Sequence, residues 1–246
     1  MSASTLRIGV LMPEVLGTYG DSGNALILAQ RARRRGIDAE VVHVGLTDEI
    51  PDSLDIYTLG GGEDTAQALA ADKFRRTSGL ARALDAGRPL LAICASLQVL
   101  GHWYEDARGA RVPGMGVLDI TTEPQGHREI GELVCEPVLE GLTQTLTGFE
   151  NHGGGTVLGP DASPLGRVLS GVGNGMPRGT TAPAVRYDGA VQGSIIATYM
   201  HGPALARNPE LADLLLQRAT GAALAPLEVP GVAQLRAERL RIVHEA

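Results

Sequence analysis

The sequence predicts an α/β fold built on a mostly parallel sheet, with a second half rich in short strands. Three observations carry that prediction. Aliphatic runs of strand length alternate with stretches of helical periodicity through the N-terminal half. Aromatic residues are only 3% of the chain, so the core must be built from Ala, Val, Leu and Ile, as in strands buried on both faces. The 33 glycines fall at strand ends, with no repeat or low-complexity tract.

Taken in order, residues 6–12 (LRIGVLM) form a strand, and residues 24–35 carry apolar positions at helical spacing up to Gly36. Residues 38–44 (DAEVVHV) and 56–59 are further strands, the second running into the glycines at 60–62. Helices follow at 65–73 and 78–86. The break Gly87-Arg88-Pro89 precedes a strand at 90–93, and a helix begins just after Cys94 and runs to about Tyr104. Strand and helix in this alternation predict parallel pairing through right-handed crossovers. Beyond that point, 116–122, 131–138 and 146–150 read as short strands joined by turns. Residues 167–187 read as turns and short strands, and 194–198 as a buried strand. Helices at 208–220 and 234–244 close the chain. No linker divides it, so residues 1–246 read as a single domain with a β-rich insertion.

Composition narrows the function. Hydrophobic residues at 43% and charged residues at 20% are the balance of a globular protein, and 246 residues can bury a large core. A net charge of −7 argues against nucleic acid as a partner. The basic cluster at 31–35 ends a helix, where cations complement the dipole, and reads as a solvated helix end. No apolar run is long enough to span a bilayer and no signal segment opens the chain. Two cysteines are too few for a disulfide framework, which suits a reducing cytoplasm.

Cys94 stands where a buried strand meets a helix. On such a turn a side chain is exposed at the carboxyl end of the sheet, with helix N–H groups aimed at it, which favours a thiolate and can receive an oxyanion. Free cysteine is also among the most buried residue types, and Cys135, in a β-like stretch, reads as core. A thiolate needs a base. His201 follows the strand 195–198 and occupies the equivalent strand end. His152 is the rival, in a segment (FENHGG) that reads as a polar substrate-contact turn also holding Asn151. Gln98, one helical turn past the cysteine, faces the same pocket. Asp21 reads either as the N-cap of the following helix or as a group facing a partner or an exit route from the pocket. No metal site is expected, and no P-loop occurs.

Several segments resemble known ones. LAICASLQVLG (91–101) resembles the elbow of class I glutamine amidotransferases of the cobyric acid synthase type, LGGGEDT (59–65) their oxyanion loop, and ATYMHG (197–202) their histidine segment. TYGDSGN (18–24) and GFENHGG (148–154) narrow the resemblance to the GatD-type subunit of lipid II isoglutaminyl synthase. The resemblance runs through nearly the whole chain. It implies a three-layer flavodoxin-like sheet, the class I glutamine amidotransferase fold, and hydrolysis of L-glutamine to glutamate and ammonia.

By the same resemblance Cys94 is the nucleophile and His201 the base, with an oxyanion hole from the backbone of Gly61, Gly62 and Ala95. Arg128 is the carboxylate-binding arginine, a role that suits its planar fork; Gln98, Asn151 and His152 line the substrate pocket. No cofactor is implied in this subunit, ATP and Mg²⁺ belonging to a Mur-ligase-like partner in a heterodimer. That complex would act on a membrane-bound lipid intermediate from the cytoplasm, at the inner face of the membrane. Two departures stand out. Ala92, Ala95 and Ser96 replace the glycines usual around the cysteine, and Pro203 replaces the glutamate that many relatives carry two residues after the histidine. A Cys–His dyad, or a third member from elsewhere in the chain, is therefore expected. A glutaminase serving another synthase, as in cobyrinate amidation, and a catalytically silent binding module are the alternatives.

Overall fold

A computed structural model describes residues 5–181 and 184–245, the latter including backbone alone at 242–245. The elements run β1 (Leu6–Leu11), α1 (Gly23–Arg33), β2 (Ala39–Val44), β3 (Ile56–Leu59), α2 (Asp64–Arg76), α3 (Gly79–Asp85), β4 (Leu90–Ile93) and α4 (Ala95–Leu100). There follow β5 (Trp103–Glu105), β6 (Arg111–Pro113), β7 (Ile120–Pro137), β8 (Leu146–Leu158), β9 (Gly166–Ser170), β10 (Tyr187–Asp188), β11 (Ala190–Gln192) and β12 (Ile195–Thr198). The chain ends in α5 (Ala204–Arg207), α6 (Pro209–Thr220) and α7 (Val232–Glu245).

Among the described residues the first sheet has the order β11-β12-β4-β3-β1-β2, parallel throughout except for β11 at the edge. Every position of β3, β4 and β12 is buried, as largely apolar strands in a covered sheet should be. Helices α1, α5 and α6 pack as one group against it and α2 with α4 as another. The carboxyl ends of the adjacent strands β3, β4 and β12 are thereby brought side by side. They release in turn the glycines at 60–62, Cys94 and the segment leading to His201.

The second sheet has the order β10-β9-β7-β5-β6, with β8 paired to β7. Here the expected run of short strands is corrected. β7 spans 18 residues and β8 spans 13, paired antiparallel with a register shift between Pro124 and Glu129. The FENHGG segment is therefore part of strand β8 and not a turn. Its glycines answer to crowding: a Cβ on Gly148 would lie 2.3 Å from Met200, on Gly154 2.5 Å from Gln98, and on Gly155 2.3 Å from Met176. Residues 182 and 183, within the expected turn segment 167–187, lie outside the described residues.

Two further expectations are corrected. The helix after Cys94 stops at Leu100, not near Tyr104, because the Gly101 N–H closes on Gln98 O and the His102 N–H turns to Ile120 O of the second sheet. The basic helix end is not simply solvated. Arg31 is buried and grips Asp213 with both arms at 2.6 Å, and Arg35 reaches the same carboxylate at 2.7 Å. These bonds tie α1 to α6.

Candidate active site

Cys94 occupies a strained backbone conformation, φ 51° and ψ −107°. Such a conformation costs a non-glycine residue roughly 1–3 kcal/mol and persists only where the surroundings impose it. The constraints are visible. The Cys94 N–H donates to Thr198 O at 2.9 Å, and the next residue already belongs to α4. Ser96 Oγ donates to Gly60 O at 2.5 Å, clamping the elbow to the glycine loop. The strain falls on the cysteine itself, while Ala95 and Ser96 are helical, so the missing elbow glycines are not required by positive φ.

Gly61 fits between the two expected catalytic side chains. A Cβ there would lie 2.6 Å from His201 Cε1 and 3.4 Å from Cys94 Cβ. Its N–H is already committed: it donates to Asp21 Oδ2 at 2.9 Å. That corrects the expectation of an oxyanion donor at Gly61, because a hydrogen bonded to a buried carboxylate cannot also face the substrate. Among the described residues none accepts from the Gly62 N–H, and Gly62, Ala95 and Cys94 all line the adjoining cavity.

His201 is 1% exposed. Its main chain is pinned by paired bonds to Phe149 of β8, 2.8 Å and 3.2 Å long. Its Nδ1 donates to Asp21 Oδ2 at 2.8 Å, leaving Nε2 buried without an oxygen or nitrogen partner among the described residues and the Cys94 thiol beside the ring. Burial alone would lower the imidazole's pKa. The bond to Asp21 and the proximity of Cys94 outweigh it and push the pKa up to about 10, so the ring holds its proton at neutral pH.

Asp21 was expected either to cap α1 or to face a partner or an ammonia exit. It does not cap α1: its side chain makes no cap bond and Ser22 is the cap residue. Nor does it face a partner's surface, since the carboxylate is 1% exposed and directed at His201 and Gly61. With 180 residues between Asp21 and His201, no local spacing could reveal the contact. The turn that delivers Asp21 places Tyr19 at φ 58°, its ring 4.9 Å from that of His201 and 5.7 Å from that of Phe149.

The cavity over Cys94 has a volume of about 650 Å³. Arg128 reaches into it from the shifted part of β7, its Nε bonded to Asn151 Oδ1. The Asn151 side chain in turn donates to the Tyr19 hydroxyl, and the residue's main-chain carbonyl oxygen lies 4.0 Å from Cys94 Sγ. Arg128 pairs with no carboxylate among the described residues. Gln98 lines the same cavity but is heavily engaged, accepting from Gln67 at 2.7 Å and donating to the Tyr199 hydroxyl at 2.9 Å. His152, the rival base, lines the same cavity, but its ring is engaged elsewhere: stacked on Tyr199 at 3.8 Å, Nδ1 at 2.9 Å from Gly154 O, and 3.6 Å from the Glu150 carboxylate. Glu63 and Asp64, which sequence reading did not single out, place carboxylates at the cavity wall opposite in sign to Arg128. Cys135 is fully buried, and burial raises its thiol far above the usual range. Among the described residues no cluster of His, Cys, Asp and Glu is fit to hold a metal ion, and no helix is long and apolar enough to cross a membrane.

Residues 7–209 match the family of CobB/CobQ-like glutamine amidotransferase domains. The chain belongs to that family. Within it, the chain is 36% identical over 242 residues to the GatD subunit of the glutamine-hydrolysing lipid II isoglutaminyl synthase of Staphylococcus aureus, covering 96% of this chain and 95% of that one. The GatD subunit of Streptococcus pneumoniae is 35% identical, covering 87% and 80%. A probable cobyric acid synthase of Methanothermobacter thermautotrophicus is 33% identical over 63% of this chain, but only 32% of its own length is spanned. A solved glutamine amidotransferase superposes with a TM-score of 0.57 at 20% identity, over 87% of this chain and 98% of that one. The glutaminase domain of Trypanosoma brucei CTPS superposes at 0.52 and 11%, over 93% and 99%. These structures bear out the class I glutamine amidotransferase fold. In this CobB/CobQ-like chain, the glutamate that follows the histidine in other branches is Pro203, and the carboxylate at the histidine comes from the N-terminal turn instead.

Proposed function

We propose that this chain is the glutaminase subunit of a two-protein amidotransferase of the lipid II isoglutaminyl synthase type. It hydrolyses L-glutamine to glutamate and ammonia, and a Mur-ligase-like partner uses that ammonia to amidate the D-glutamate of the lipid II stem peptide. ATP and Mg²⁺ chemistry belongs to the partner, and the complex works on the cytoplasmic side of the membrane. The observation that carries the reading is Cys94 and His201 at adjoining strand ends, with Asp21 of the N-terminal turn bonded to the histidine, in a chain similar to GatD subunits over nearly its full length.

In this reading Cys94 thiolate attacks the side-chain amide carbon of glutamine. The N–H groups of Ala95 and Gly62 hold the oxyanion, each such donor being worth roughly 10²–10³ in rate. His201 Nε2 gives its proton to the departing amine, releasing ammonia and a thioester. It then takes a proton from the water that hydrolyses the thioester. Asp21 orients the ring and keeps it charged. Arg128 receives the substrate α-carboxylate as a fork, and Glu63 and Asp64 offer acceptors for the α-ammonium. Similarity over 95% and 80% of the length of two GatD subunits, against 32% of a cobyric acid synthase, favours the lipid II reading over cobyrinate amidation.

Ammonia release from glutamine is measured on the purified complex and on Cys94→Ala. The wild type releases ammonia and the variant none; equal release by the two refutes the nucleophile. A cobyrinate-type synthetase co-purifying in place of a Mur-ligase-like protein refutes the choice of partner.

A further inference from the structure

A second cavity, of about 680 Å³, opens on the other side of the β7 segment that carries Arg128. Successive residues there point to opposite sides: His127 and Glu129 line the second cavity, and Arg128 lines the catalytic one. The walls are largely apolar, with Leu158, Val172, Met176 and Tyr187 among them. Two cations join them, Arg178 and Arg186. Neither pairs with an acid among the described residues, although Arg186 Nη1 donates to Gly171 O at 2.6 Å, whereas the one acid of the wall, Glu129, is already bonded to His127 at 2.5 Å. Gln125 adds an orphan donor. It is 7% exposed, and its Oε1 accepts from the Met176 N–H at 3.3 Å, which fixes the amide's orientation and leaves Nε2 buried without a partner. Apolar walls with unpaired guanidinium groups and an unsatisfied N–H describe a receptor for an acceptor oxygen on an apolar body.

The cavity is also wired to the catalytic one. Arg178 Nε stands 3.0 Å from where a Cβ of Gly126 would lie, and its backbone N–H holds Pro124 O at 3.0 Å. Gly126 and Pro124 flank the arc from which Arg128 projects. Thr156, in the wall of the second cavity, bonds to the Tyr199 hydroxyl at 2.7 Å and to Thr122 at 2.8 Å, directly behind Gln98.

We propose that the second cavity binds a small amphipathic organic anion, a carboxylate on an apolar skeleton, and that its occupancy repositions Arg128. The second clause rests on the assignment of Arg128 to the glutamine carboxylate; the first does not. Ligand-observed NMR titrations of the full chain use hexanoate and 4-phenylbutyrate, each against the alcohol of the same skeleton, with inorganic phosphate as a bare-anion arm. The carboxylates bind saturably, the alcohols and phosphate at least several-fold more weakly, and Arg178→Gln with Arg186→Gln weakens carboxylate binding roughly tenfold or more. Both arginines are exposed, so an unchanged melting temperature is expected for the variant. Absence of saturable carboxylate binding overturns the site. Alcohols that bind equally reduce it to an apolar patch, and phosphate that binds equally reduces it to an anion patch; either overturns it as proposed. In the complex, saturating carboxylate changes the KM for glutamine more than kcat in the wild type and not in the double variant. An unmoved KM overturns the coupling. A complex that releases no ammonia at all refutes the glutaminase reading and leaves the binding result standing on its own.

Discussion

Replacing Asp21 by asparagine tests the arrangement at its least expected member. The imidazole's rise from an ordinary 6.5 to about 10 corresponds to roughly 5 kcal/mol in favour of the charged ring, at about 1.36 kcal/mol per pH unit. It is achieved against burial, by the bond to Asp21 and by Cys94. Asparagine keeps a carbonyl oxygen in reach of Gly61 N–H and His201 Nδ1–H, now 2.9 Å and 2.8 Å from the carboxylate, but removes the charge. A hydrogen bond to a charged group exceeds a neutral one by about 1–2 kcal/mol. The imidazolium therefore loses its proton about one pH unit earlier, and, because the ring is held in place by a bond weaker by that amount, kcat/KM near neutral pH falls about five- to thirtyfold. Asp21 lies outside the cavity wall, so KM for glutamine stays where it is. Coupled measurement of ammonia release from roughly pH 6 to 10.5 reads both effects, with the alkaline limb of kcat/KM in Asp21→Asn displaced toward acid. An unchanged limb and an unchanged kcat would show that Asp21 only props up the glycine loop. So would a rise in KM alone.

Four other outcomes follow from the same geometry. Gly61→Ala puts a methyl 2.6 Å from His201 Cε1, and the displaced ring should lower kcat by roughly two orders of magnitude in a protein whose melting temperature is nearly unchanged. Arg128→Lys replaces the fork by a point charge and should raise the KM for glutamine about tenfold with kcat little altered, as steady-state kinetics would show. Ser96→Ala orphans the Gly60 carbonyl behind the elbow and should cost about 1–2 kcal/mol in urea unfolding. Asp188 is fully buried, and burial, only partly offset by bonds from Thr198 and Tyr199, raises its pKa from 3.8 to about 6. Over that window the folded state binds more protons than the unfolded one. Stability is thus highest below about pH 4 for this group, and about 3 kcal/mol is lost as pH rises through 6. Asp188→Asn should flatten that part of the pH–stability curve.

The first sheet was legible because its information is local. β3 and β4 are aliphatic runs ended by glycine or by the elbow, and they lie where the sequence places them to the residue. The second sheet was less so. Glycines that crowd against Met200, Gln98 and Met176 look like turn residues in a sequence, because a close approach by a partner distant in the chain leaves no mark on its neighbours. The same blindness hid the pairing of Arg31, read as part of a solvated helix end, with Asp213, which makes it a buried clamp.

The site repeats this division. Cys94 and His201 are readable because each follows a strand, and strand ends of one sheet converge. Asp21 follows no strand directly; it sits in a turn shaped by Tyr19 at φ 58° and Gly20 at φ 76°, folded back over the glycine loop. One carboxylate oxygen then serves two purposes. It holds Gly61 tightly enough that the loop can lie against the nucleophile, and it charges the imidazole that faces it. Committing the Gly61 N–H to that oxygen removes it as an oxyanion donor, and in the proposed mechanism Gly62 takes that role. A chain that places its acid two residues after the histidine, where this one has Pro203, does not need the glycine loop to support its base. Here the loop, the acid and the base form one unit. Loosening the turn at Tyr19 and Gly20 should therefore impair oxyanion binding and proton transfer together, and not one without the other.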